Sequence, residues 1–457
     1  MTPIMVTLLI LNVLVPVAAT YRCCVSRAGI EVNHVMTFSM AFVAYWVCPL
    51  PLLRSELLAG RPEFMSLRTL AGTVTPASFD IYMLVTLSCY LSFWAGASLG
   101  MRRAGRGRRY RPALFRYETL RWFVLPAALA AAATAYSAKE RLFRGYQVDV
   151  IGVNDMGPFA SCTLALLGIA FVATFKRLEI RLANRERMGE PTFLSCIGNG
   201  YFLVYLAFGC VLVSTGARLY IVSTLIMVAA FYSVYIARLS MRRIALFALI
   251  VAVTVSTIGE MRLGSGIAVD SLFVNMLSEP LYTSFSHIFF VSSYSVEILR
   301  APILLLGDFI NLVPSALLPA KADLLFTPDK FGFVVYSPFG ALSSYFSFMV
   351  NFGAAGACAA LFCFSYWLSC LRTRGRSLVS HVSYVMVTGF VATTFFRDPF
   401  SVSIVKAIVQ FSLFFPFLIV LLATMLTTRP ARAGSRSTRA MERAEIDPES
   451  PRAAAQS

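Results

Sequence analysis

Residues 78–121 decide the fold: SFDIYMLVTLSCYLSFWAGASL (78–99) is followed at once by GMRRAGRGRRYRPALFRYETLR (100–121). The first half is an almost unbroken apolar run, long enough for a helix to cross a hydrocarbon core of about 30 Å. The second half carries Arg102, Arg103, Arg106, Arg108, Arg109, Arg111, Arg116 and Arg121 against Glu118 alone. A run of that length followed by so basic a link reads as a transmembrane helix with its following loop in the cytoplasm.

The alternation repeats in both directions. Apolar runs occupy 3–20, 34–53, 122–138, 157–175, 198–214, 219–237, 244–259, 341–369, 378–396 and 402–427. With 78–99 they predict an all-α, polytopic transmembrane helical protein of about eleven spans. Pro126 and Pro416 fall inside runs and predict kinks. Taking 100–121 as cytoplasmic, strict alternation puts Lys176, Arg177, Arg181, Arg185 and Arg187 on the same side, then Arg238, Arg242 and Arg243, then Arg372, Arg374 and Arg376. One span more or fewer would break this agreement. It places the N-terminus outside, the C-terminus inside and one large loop, 260–340, outside.

Composition agrees. Of 457 residues, 58% are hydrophobic and 14% charged, and the mean hydropathy is +0.72. Soluble domains are nearer a quarter charged. This excludes an ordinary soluble enzyme, a disulfide-rich secreted scaffold and a disordered chain, while unbroken runs exclude a β-barrel. The net charge of +17 sits mostly in links beside spans, so no nucleic-acid partner is expected and membrane lipid is. The ten cysteines form no CxxC pair and read as small buried residues. Residues 1–427 are taken as the membrane domain. The stretch 428–457, rich in Ala, Ser, Arg and Glu, is taken as a disordered cytoplasmic tail.

Within 260–340, Leu281, Phe285, Ile288, Phe289, Val296 and Leu299 recur on one helical face, with Glu297 and Arg300 near its end. This predicts an amphipathic helix lying on the outer surface. Pro302, Pro314, Pro319 and Pro328 then break any long helix.

Arg218, Arg262 and Arg397 stand at the outer ends of spans, where the positive-inside tendency disfavours them. A guanidinium presents a planar fork of donors suited to phosphate oxygens; the alternative is that each anchors a helix end by snorkelling. Lys406 is read as the one clear intramembrane charge, a functional residue or a structural partner of Asp398. His287, the sole histidine placed outside, suits general-base chemistry at neutral pH, against the alternative of a structural role. Glu260 is the second candidate base, or simply the partner of Arg262. Acidic pairs spaced by one residue are absent from the outer loops, and Glu445-Ile446-Asp447 lies in the tail, so no metal is expected. No phosphate-binding glycine loop is seen, so no nucleotide or other cofactor is expected.

The segment Leu312-Val313-Pro314-Ser315-Ala316-Leu317-Leu318-Pro319-Ala320-Lys321, then Ser337-Pro338-Phe339-Gly340 and Asn351-Phe352-Gly353-Ala354-Ala355-Gly356, resembles the oligosaccharide repeat-unit polymerases, the O-antigen polymerases of the Wzy type. The turn Thr215-Gly216-Ala217-Arg218 and the pair Phe396-Arg397 are similar too, as is the layout of spans and one large outer loop. The resemblance implies a glycosyltransferase of the bacterial inner membrane that joins glycan units carried on undecaprenyl pyrophosphate at the periplasmic face. It implies that outer-loop arginines, here Arg218, Arg262 and Arg397, hold the pyrophosphate, with Glu260 or His287 assisting the acceptor. Arg141 and Gly152 match an Arg-to-Gly spacing found in some members, whereas Arg262 and Arg300 lack it. Undecaprenyl-pyrophosphate-linked glycans are then the substrates, and a chain-length regulator and a flippase are the protein partners it allows. Phe331, Phe333, Tyr336 and Phe339 are platforms for sugar rings or an interfacial aromatic belt. The rival readings are an O-antigen ligase, with the same donor and a different acceptor, and a flippase or transporter of lipid-linked oligosaccharide.

Overall fold

Every predicted apolar run is helical over most of its described residues. The computed structural model describes residues 2–49, 72, 74–102, 111–137, 139, 156–185, 191–214, 218–263, 269–294, 296–300, 302, 305–313, 317–318, 320–324 and 343–428. In chain order the long helices are α1 (Pro3–Cys24), α2 (His34–Phe42, continued by a π turn Val43–Val47), α3 (Pro76–Arg102), α4 (Arg121–Ser137), α5 (Met156–Ala183), α6 (Gly200–Ser214), α7 (Arg218–Tyr235), α8 (Met241–Leu263), α9 (Val269–Ser293), α10 (Ser344–Arg374), α11 (Leu378–Val391) and α12 (Phe415–Thr428). The sole sheet among the described residues is a two-residue hairpin, Val25–Ser26 with Gly29–Ile30. Five helices are long and apolar enough to cross a membrane: α1, α3, α5, α10 and the joined unit Ser401–Thr427. Shorter apolar helices are α2 with its π turn, α6, α7 and α11. The chain is an all-α, polytopic membrane protein. Hydrocarbon leaves a backbone no partner but itself, which is why unbroken apolar runs resolve as helices.

Large apolar side chains stay exposed on α1, α4 and α8, among them Ile4, Leu14, Trp122, Leu125, Leu129, Leu246 and Leu249. In water such a surface would aggregate; against lipid it costs nothing. Inside, one buried cluster joins α1, α2, α3, α9 and α10, and a second joins α4, α5, α6, α7 and α12. Helix α11 and the π-helical run Ser401–Phe414 contribute to both. The closest pairing is α3 with α10. There Gly96 and Gly100, four residues apart, let the carbonyls of Phe362 and Tyr366 approach, and a Cβ at Gly100 would stand 2.5 Å from Ser369 Cβ. Small residues at this spacing are how helices close-pack where lipid supplies no hydrophobic drive.

The basic links share one end of the bundle. Arg111 N–H donates to Arg376 O at 2.8 Å. Lys176 reaches Ala113 O at 2.5 Å and Glu179 at 2.9 Å, and Arg238 and Arg372 both pair with Glu31. Residues of four basic links thus meet at one end of the bundle.

Two expectations differ in detail. The helix α9 does not present one face to a surface: from Pro280 to Val291 its residues are buried or half-buried on every side, including Thr283, Ser284, Ser286 and His287 at 0% exposure. It ends at Ser293, so Val296 and Leu299 lie beyond it. Its serines tolerate burial because they bond their own helix, Ser284 to Pro280 O at 2.7 Å and Ser286 to Tyr282 O at 3.0 Å. Lys406 lies half-buried in the π-helical run. Finally, the stretch before Pro416 takes the wider i→i+5 register, in which Phe415 N–H bonds Gln410 O. Proline has no N–H and its ring crowds the carbonyl one turn back, and a wider turn relieves that crowding. Pro314, Pro319, Pro328, the turn 215–217, Arg141, Gly152, the aromatics Phe331, Phe333, Tyr336 and Phe339, and the tail 429–457 lie outside the described residues.

Candidate functional site

Helix α10 begins with Ser343 as its N-cap, whose hydroxyl accepts the Phe346 N–H at 3.2 Å. The same oxygen lies 2.7 Å from His287 Nε2. Ser344, the next residue, donates to Asp398 O at 3.2 Å and meets Ser403. Two consecutive serines therefore tie α9, through His287, to the Arg397–Asp398 corner that follows Thr394–Arg397. Arg397 and Asp398 face each other at 3.5 Å. Tyr220, two residues into α7 from Arg218, lies within electrostatic reach of both, and Ser223 meets Thr393 at 2.5 Å. The first turn of α7 thus shares this end of the bundle with His287 and Arg397.

His287 sits in an aromatic enclosure. Its ring stacks on Phe346 at 5.8 Å and 3°, and meets Tyr345 at 5.4 Å and Trp46 at 5.8 Å, both edge-on. Trp46 packs in turn on Phe396 at 4.7 Å, the neighbour of Arg397. Tyr82, on the same end of α3, lies 6.4 Å from the imidazole. At 1.5 Å per residue, Tyr82 stands about 30 Å from the basic end of α3 at Arg102. Three buried polar atoms here, His287 Nδ1, Trp46 Nε1 and the Tyr345 hydroxyl, have no hydrogen-bond partner among the described residues. Buried polar atoms are almost always paired, so these atoms call for a partner such as an ordered water or a ligand atom.

Of the residues singled out from sequence, His287 and Arg397 are brought into one cluster. The backbone of Arg218 joins them as the start of α7, while its side chain lies outside the described residues. Glu260 and Arg262 belong to the last turn of α8, and their side chains also lie outside the described residues. Lys406 follows the corner within the π-helical run. Ser343, Trp46, Tyr345 and Phe346 were not legible as site residues, although a serine just before an apolar run is an N-cap signal.

A second polar cluster occupies the opposite end. Glu31 faces Arg372 and, at 3.7 Å, Arg238. His34 has both ring nitrogens engaged, Nδ1 with Tyr384 at 3.1 Å and Nε2 with Ser369 at 3.0 Å. Tyr235 bonds His381 Nδ1 at 2.9 Å.

No protein-family model, no curated protein and no solved structure matches this chain.

Proposed function

We propose that the protein is a glycan polymerase that joins undecaprenyl-pyrophosphate-linked repeat units at the periplasmic face of the bacterial inner membrane. The observation that supports this reading is the convergence of His287 and Arg397, 110 residues apart in sequence, through Ser343 and Ser344 at the end of the bundle away from the basic links. A base and a phosphate-binding cation within one corner are what the transfer needs. In the reaction the bond between the anomeric carbon of the growing chain and its pyrophosphate oxygen breaks. A hydroxyl of the incoming unit forms the new glycosidic bond, and its proton passes to His287 Nδ1. The bond's electron pair leaves with undecaprenyl pyrophosphate, whose charge Arg397, with Arg218 and Arg262, stabilises. The donor is already activated, so the step consumes no nucleotide.

Deleting the coding sequence tests the reading and separates its rivals. Loss of a polymerase leaves single repeat units on the surface lipid. Loss of a ligase leaves none attached, with long chains still on undecaprenyl. Loss of a flippase strands the units inside. Wild-type chain length in the deletion strain sinks all three.

A further inference from the structure

Beside the His287 enclosure lies a cavity of about 190 Å³ lined by Phe290, Tyr294, Glu297, Arg300 and Met349. We propose that it is a subsite for one sugar ring of the glycan. The inference rests on the polymerase reading and names where that enzyme would hold its carbohydrate.

Size comes first. Pockets for drug-sized ligands run from about 300 Å³ upward, so this cavity suits a single ring and not a whole repeat unit. Chemistry comes second. Glu297 is an acceptor only, and Arg300 a donor only. A ligand answering both must donate and accept at neighbouring atoms, as adjacent sugar hydroxyls do. A pyrophosphate offers acceptors alone and would be repelled by Glu297; a simple ammonium offers donors alone. The rest of the lining is apolar, and within it Phe290 and Tyr294, one turn apart, stand 5.5 Å apart at 34° and give a face for the ring's C–H side.

Position comes third. Phe290 lies edge-on to Phe346 at 5.0 Å, and Phe346 stacks on His287. The rings of Phe290 and Phe346 therefore link the cavity wall to the imidazole. The two charged residues are held by backbone. Ala354 N–H donates to Glu297 O at 2.9 Å, Ala355 N–H to Ile298 O at 3.0 Å and Arg300 N–H to Phe352 O at 3.1 Å. This clamp exists because α10 breaks at Gly353, with φ 74° and ψ 179°. A Cβ there would stand 2.7 Å from the carbonyl oxygens of both Glu297 and Ile298. The break thus spends helix continuity to fix Glu297 and Arg300 beside the aromatic pair.

The test uses the full chain in nanodiscs with the lipid-linked repeat unit as substrate. Glu297→Gln, at an exposed side chain, and Tyr294→Ala are each expected to raise KM about tenfold while kcat stays within about twofold, the pattern of lost ground-state binding. A lower kcat at unchanged KM overturns the subsite and leaves the polymerase reading standing. Unchanged KM with altered co-purifying phosphatidylethanolamine overturns it in favour of a lipid headgroup. If the wild-type protein elongates nothing, the polymerase reading fails on its own. Saturation-transfer NMR with methyl glycosides of the repeat-unit sugars then judges the subsite: a signal lost in Tyr294→Ala supports it, and no signal from wild type overturns it.

Discussion

The two ends of the bundle solve the same problem in opposite ways. At the basic end a carboxylate, a guanidinium and a histidine are buried or half-buried, and each is answered from within the chain: Glu31 by Arg372 and the exposed Arg238, His34 by Tyr384 and Ser369. At the other end His287 is just as buried, but only Nε2 is answered, and Trp46 Nε1 is unmet among the described residues. A satisfied buried network rigidifies and specifies a fold; a partly satisfied one is costly unless something else completes it. The basic end therefore holds architecture, tying the hairpin after α1 to the loop before α8 and the end of α10. The His287 end holds a vacancy of hydrogen-bonding capacity.

The largest expected effect is at that vacancy. His287→Gln keeps an amide for Ser343 and removes the base, so elongation should fall about 10²- to 10⁴-fold with little change in thermal unfolding. Wild-type elongation by this variant would reduce the His287 end to packed aromatic core, and the contrast would be gone. At the basic end the signs reverse. Arg372→Ala leaves Glu31, at 5% exposure, with only the longer 3.7 Å contact to Arg238, and should destabilise by up to roughly 3–5 kcal/mol, read by unfolding in mixed micelles. The double variant Glu31→Gln/Arg372→Met should recover most of that loss and elongate normally. Failure of the double variant to recover would mean that the pair does more than balance charge.

What the sequence made legible, and what it hid, follows the same division. The apolar helices were readable because crossing a bilayer is a local demand: about twenty apolar residues suffice, whatever surrounds them. The basic links could be sorted to one end by the same local logic. The helix α9 was misplaced because apolar periodicity at Leu281, Phe285 and Ile288 is identical against a membrane surface and against protein. The deciding residues, Ser284 and Ser286, look polar in sequence yet bond their own carbonyls. His287 and Arg397 were recognisable as types, but their meeting depends on Ser343 and Ser344, which only the tertiary fold brings to both. The Glu31–Arg372 pair spans 341 positions and carries no local signal.

A middle-sized effect belongs to the break in α10. Gly353→Ala puts a side chain at φ 74°, ψ 179°, a conformation nearly confined to glycine and costing about 1–3 kcal/mol. The new Cβ also meets two carbonyls. The expected result is a lower unfolding midpoint together with a raised KM for the lipid-linked unit, since the clamp holding Glu297 and Arg300 is displaced. Loss of stability alone, with KM unchanged, would confine the break to architecture and move it to the basic end's side of the comparison.

The smallest effect is also the sharpest discriminator, because it applies one substitution to both ends. Ser369→Ala and Ser343→Ala each remove a hydroxyl from a buried histidine, one 3.0 Å and the other 2.7 Å away. Interhelical hydrogen bonds in membrane proteins are worth about 0.6 kcal/mol on average, so the two variants should lose similar, small amounts of stability. Their activities should separate. His34 keeps Tyr384 and the site is remote, so Ser369→Ala should elongate at the wild-type rate. His287 loses its one described hydrogen bond, its ring is free to turn within the aromatic enclosure, and Nδ1 is no longer aimed; kcat should drop while KM holds. Ser343→Thr, which keeps a hydroxyl on the same carbon, should restore most of it. Equal activities for the two alanine variants would mean that Ser343 caps a helix and nothing more, and the base would have to be sought elsewhere.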